Sequence, residues 1–163
     1  MQPLSVNHPT EVVHGERVAR QGKLRFGCSA VLFNPIKDKV LLTRRADNGQ
    51  WCLPGGMFDP GESVAEGCER EVFEETGLMV QVIRLIGIYS NPNLLTVYPD
   101  GNKIHAIVFG FEIKQINGEL RLSDETTDAR FFPVAEAVEM DLFHGHAEHL
   151  RDALAVQDKA FIR

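Results

Sequence analysis

Between Gly55 and Leu78 the chain reads GGMFDPGESVAEGCEREVFEETGL, and no other segment restricts its fold and chemistry as much. Asp59, Glu62, Glu66, Glu69, Glu71, Glu74 and Glu75 stand here against a lone Arg70. Ser63 with Glu66 one turn on fits a capping box, so a helix is expected after the Asp59-Pro60-Gly61 turn, and Gly77 fits the left-handed residue that ends it. Val64, Ala65, Cys68, Val72 and Thr76 then share an arc that can pack on a sheet. Glu71, Glu74 and Glu75, at i, i+3 and i+4, share the neighbouring arc. Carboxylates so placed repel one another unless a cation neutralises them, and hard divalent ions such as Mg²⁺ or Mn²⁺ prefer carboxylate oxygens. A solvated acidic face would explain the glutamates alone. It does not need Arg70 among the acids, the Gly55-Gly56 pair, or Glu62 just before the cap.

The 163 residues suit a single domain with a substantial core of its own. A net charge of -6 argues against general nucleic-acid binding, and an anionic substrate would have to arrive with cations. Cys28, Cys52 and Cys68 lack the paired spacing of a zinc or redox motif and read as reduced, structural residues. Neither a signal-like apolar core at the N-terminus nor a membrane-length apolar run is present, so no membrane partner is expected and the cytoplasm is the expected location.

Residues 1–24 are polar and aperiodic, an expected flexible arm or small cap before a domain over residues 25–163. Residues 26–34 (FGCSAVLFN) and 39–45 (KVLLTRR) read as strands that together resemble a hairpin. Two more strands are expected in LMVQVIRLIGIYS and KIHAIVFGFEIKQ, separated by a loop over residues 91–103, with a hairpin turn at Asn117-Gly118 leading into GELRL. A strand in ARFFPV precedes two helical patterns, VAEAVEMDLF and HAEHLRDALAVQ. The sum is an α/β chain with a mixed sheet.

The acidic segment resembles the signature of the Nudix hydrolase family, G-x5-E-x7-R-E-U-x-E-E-x-G-U with U a bulky apolar residue. Gly56, Glu62, Arg70, Glu71, Val72, Glu74, Glu75, Gly77 and Leu78 fill every position of it. The fixed residues would coincide by chance in roughly one window in 10⁸. The resemblance implies an α/β/α sandwich with the signature as a loop-helix-loop at one end of the sheet. It implies Mg²⁺ or Mn²⁺ held by Glu71, Glu74 and Glu75 with the Gly55 carbonyl, and Glu62 and Arg70 orienting the helix through a salt bridge. The substrate it implies is a small nucleoside diphosphate linked to another group: ADP-ribose, a nucleotide sugar or a nucleoside triphosphate. Water would attack phosphorus, with its proton taken by a signature glutamate or by an acid on a later loop. Glu125 is the loop candidate, with Asp124 and Asp128 as rivals.

Around this segment, strand alternation sends one of Arg44 and Arg45 toward the site, where it could clamp a phosphate; Arg45 is preferred. Trp51 could stack on a base or close the core. In the loop over residues 91–103, Leu94, Leu95 and Tyr98 look exposed and available to a base or sugar. Pro92 lies where the ADP-ribose branch of the family carries a proline. His144, His146 and His149 read as a hydrated helix end. The sequence leaves a homodimer open. The competing reading is a Nudix-fold domain that senses or regulates by binding a nucleotide without cleaving it.

Overall fold

Residues 27–32 (GCSAVL) are apolar or small without alternation, as suits a strand covered on both faces. In the computed structural model, which describes residues 9–155 and 157–163, they lie in β2 (Lys23–Leu32), paired in parallel with β7 (Lys103–Gly118). β7 also pairs with β5 (Leu78–Tyr89) and with β6 (Leu94–Val97), both antiparallel. β1 (Glu11–His14) adds to β6, and β9 (Phe161–Ile162) adds to β5 in parallel, which completes a mixed six-stranded sheet. A smaller antiparallel sheet runs β4 (Trp51–Cys52), β3 (Lys39–Arg45), β8 (Thr126–Pro133).

Alternation along β2 and β3 divides the core into two layers. Cys28, Ala30, Leu32 and Leu41 meet Cys68 and Val72 of α1 (Val64–Thr76). Val31, Val40 and Leu42 face the other way, onto Ala137 of α2 (Val134–Ala137) and Ala147, Leu150 and Ala153 of α3 (His146–Leu154). This is the expected α/β/α sandwich. Each fully buried aliphatic side chain contributes about 2 kcal/mol. Cys28, Cys52 and Cys68 are buried and free. Among the described residues no helix is long and apolar enough to cross a membrane.

Three sequence expectations are corrected here. β2 and β3 form no hairpin ladder, because they belong to different sheets and their backbones meet only at the turn between them, through a Phe33–Val40 bridge and the Asn34 amide on the Lys39 carbonyl. Asn117-Gly118 ends β7 and no strand follows in GELRL; Gly118 pairs back onto Leu78. Residues 91–103 are not one loop, since they contain β6, held between β1 and β7, and Leu95 is 2% exposed. Within the expected arm or cap, residues 1–8 lie outside the described residues. β1 and a short 3₁₀ turn (Val18–Gln21) lie against the segment after β5, where the amides of Gly15 and Ala19 donate to the carbonyls of Asn93 and Pro92.

Candidate active site

The helix that carries the acids begins as its sequence dictates. Ser63 Oγ accepts the Glu66 amide at 3.2 Å, Glu66 accepts the Ser63 amide at 2.7 Å, and Gly77 closes the far end with φ 73°. Cys68, Val72 and Thr76 are buried, which fixes the rotation of the helix. Glu71 and Glu75, one turn apart, then face the turn of residues 53–57. Gly55 is required there, because a Cβ would collide with the Cys28 backbone carbonyl, while Gly56 lets the Glu71 carboxylate lie close against the turn. The Gly55 amide donates to Glu75 Oε2 at 3.1 Å.

Glu71 and Glu75 open into a cleft of about 240 Å³ together with Gly55, Gly56, Arg45, Tyr98 and Glu125. Arg45, Tyr98, Glu75 and Glu125 also line an adjoining cavity of about 430 Å³, so the two form a continuous site. A larger cavity of about 840 Å³ beyond His144 is lined by none of the signature residues, so volume alone does not mark the chemistry. Burial pushes the Glu75 carboxyl up to about 8, with the charges of Glu71 and Glu125 adding to the effect. Burial also raises Glu71, aided by Glu74 and Glu125 and opposed by Arg70.

Arg70 does not supply the missing positive charge inside the cleft. Its Nε and Nη2 reach the two Glu62 oxygens at 2.9 and 2.7 Å, Nη2 also reaches the Met57 carbonyl, and Nη1 reaches Glu71 and Glu74 at 3.0 and 3.2 Å. Hydrogen bonding from Arg70 holds Glu62 down to about 2. Glu74 is exposed and turns outward onto Arg70, away from the cleft lining.

Arg45 and Arg44 separate as alternation requires. A register shift between them pairs Arg44 with Asp128 but Arg45 with Thr126. The Arg45 guanidinium sits 4.1 Å over the Phe143 ring, bonds Asp47 at 2.6 and 2.9 Å, and lines the cleft. Arg44 is exposed and caps the Gly49 carbonyl. Trp51 packs edge-on against Phe132 at 4.8 Å, outside the cleft lining. Asp128 pairs with Arg130, and Asp124 reaches only the adjoining cavity.

A family model of the NUDIX domain matches residues 23–153. The chain belongs to the Nudix family. Over 98 residues it is 41% identical to an ADP-ribose pyrophosphatase of Methanocaldococcus jannaschii, a match covering 58% of this chain and 54% of that protein. With a MutT-like protein of Streptomyces ambofaciens it shares 38% over 116 residues, 71% of this chain and 68% of that one. The chain therefore spans about half to two thirds of the length of these curated relatives. Among solved structures, an ADP-ribose pyrophosphatase from Streptococcus suis is similar at a TM-score of 0.65 and 25% identity, over 85% of this chain and 98% of that one.

The expectation of a hydrated histidine end is overturned. His146 and His149 are 8% and 2% exposed, and burial lowers the pKa of both, His149 to about 3. His149 stacks on Tyr89 at 3.5 Å and meets Ser29 Oγ at 2.8 Å, whereas His144 and His146 join Phe143 in lining the cleft of the Nudix site. A signal for this was present: His146, His149, Leu150 and Ala153 follow the i, i+3, i+4, i+7 spacing of a buried helix stripe.

Arg70→Ala should lower the Tm of this Nudix chain by about 5 °C in scanning calorimetry, because Glu62, Glu71 and Glu74 lose a shared partner. An unchanged Tm would contradict the bridging role.

Proposed function

We propose that the chain hydrolyses small nucleoside diphosphate derivatives with Mg²⁺ or Mn²⁺. The observation that carries this reading is the convergence of Glu71, Glu75 and Glu125 on one water-accessible cleft, where burial and mutual repulsion raise Glu71 and Glu75. A buried carboxyl pushed up to about 8 suits a site designed around an added cation, since a divalent ion would restore the charged form. The donor set, carboxylate and carbonyl oxygen, fits the same hard ions.

Glu71 and Glu75 would hold the ion with the Gly55 carbonyl. Glu74, turned outward, serves mainly to fix Arg70. A bound divalent ion would neutralise the diphosphate and lower the pKa of water near it. The protein's own groups do the rest. Arg45 clamps a phosphate oxygen, and Tyr98 lies along the path between the two cavities. Glu125 takes a proton from the attacking water, because it lines both cavities and its rivals Asp124 and Asp128 do not. Water adds to phosphorus and the bridging P–O bond breaks, giving two monophosphates from a diphosphate-linked substrate, or a shorter nucleotide and phosphate or pyrophosphate from a triphosphate.

ADP-ribose is the first substrate to test, supported by the two relatives that carry its name. The test is a screen by ³¹P NMR for cleavage of the phosphoanhydride in ADP-ribose, nucleotide sugars and nucleoside triphosphates with each metal. Turnover of at least one class is expected. Tight binding without turnover of any would favour the sensing reading instead.

A further inference from the structure

The signature residues account for the carboxylate part of the cleft lining but leave another part of it without a role. That part is a wall built from Phe143, His144, His146, Met57, Thr96, Ala106 and Val108. It is apolar apart from a few groups, and His146 is the polar group with the most constrained chemistry. The chain reaches it through two successive left-handed residues, His144 at φ 54° and Gly145 at φ 73°. A non-glycine residue in that conformation is strained, and such strain persists only where surrounding contacts impose it. Here the turn delivers His146, the first residue of α3, against β4 and the segment after it. The Leu53 amide donates to His146 Nδ1 at 3.1 Å. An imidazole that accepts at Nδ1 carries its proton on Nε2. Burial keeps the ring neutral by pushing its pKa well below 6.5. Among the described residues His146 Nε2 has no hydrogen-bond partner, and it is not one of the two histidine nitrogens sealed away without one, which are those of His105 and His144. The ring is 8% exposed and lines the cleft.

We propose that His146 is a specificity-determining residue whose Nε2–H donates to an acceptor atom of the uncharged nucleoside moiety, held against Phe143, Met57, Ala106 and Val108. This rests on the nucleotide reading given above. Phosphate oxygens are served by Arg45, whose guanidinium borders this wall at Phe143, and by the carboxylate-held cation. A fixed, uncharged donor on an apolar wall suits a ring nitrogen, carbonyl or hydroxyl. A ligand lacking that acceptor would leave the buried N–H unpaired, which is how a single hydrogen bond discriminates.

Two substitutions separate this role from a structural one. His146→Asn keeps an acceptor near the Nδ1 position for the Leu53 amide but removes the reach of Nε2. His146→Gln keeps a donor near Nε2 and gives up the Leu53 bond. The full chain is titrated calorimetrically, with Mg²⁺, against AMP, GMP, UMP and inorganic pyrophosphate. His146→Asn should weaken the tightest nucleotide about tenfold and leave pyrophosphate unchanged. His146→Gln should bind that nucleotide within about threefold of wild type despite a lower Tm. The reverse order, or equal weakening of nucleotide and pyrophosphate, would overturn the assignment. If wild type binds neither nucleotide nor pyrophosphate, the nucleotide reading itself fails; if it binds nucleotide and His146→Asn leaves that intact, only this inference fails.

Discussion

Glu75→Gln will lower kcat at least about a hundredfold while the chain stays folded. The amide keeps the volume and can still accept from the Gly55 amide, but it removes the negative charge that would hold a cation beside Glu71. Stability should not fall with activity. A carboxyl whose folded pKa is raised to about 8 binds a proton more tightly in the native state than in the unfolded one. It therefore withdraws stability as pH climbs from its ordinary value through 8, and glutamine withdraws none. In EDTA at pH 8 the variant's Tm should equal or exceed that of wild type. Turnover near the wild-type rate in a folded variant would remove Glu75 from the site.

Glu125→Gln is expected to lower kcat by about 10²- to 10⁴-fold, the range for losing a general base, with KM changed little. The residue is exposed, and its side chain has no structural partner among the described residues to lose. Pre-steady-state single turnover, which isolates chemistry from product release, is the measurement. A loss below about threefold would transfer the base to a signature glutamate, with Glu71 the candidate.

The helix and its acids were legible in the sequence because the information is local. A capping box, a left-handed glycine and an i, i+3, i+4 spacing specify both ends and both faces of α1 before any tertiary contact forms. Residues 26–34 were likewise legible as a strand, though not the cover on both of its faces. What failed depended on partners distant in the chain. Residues 26–45 look like a hairpin because two strands flank a turn, yet β2 is claimed by β7, about eighty residues on, and β3 by β8. β6 is too short to declare itself, and its strand form comes from being held between β1 and β7. The site divides along the same line. Spacing alone put Glu71 and Glu75 together, while the approach of Glu125, the outward turn of Glu74 and the withdrawal of Trp51 into packing with Phe132 follow from tertiary placement. The polarity of histidine suggests a hydrated helix end at His146, yet its spacing with Leu150 and Ala153 puts it on the buried stripe of α3.

The central claim is metal-dependent attack of water on phosphorus within this cleft. The most direct measurement runs the best substrate from the screen in ¹⁸O-enriched water and follows products by ³¹P NMR, with Mg²⁺, with Mn²⁺ and after exhaustive EDTA treatment. The account predicts cleavage of one phosphoanhydride bond, with one of the two products carrying a single ¹⁸O on phosphorus, with either metal and none with EDTA. Undiminished turnover in EDTA, or products without ¹⁸O on phosphorus, would contradict it.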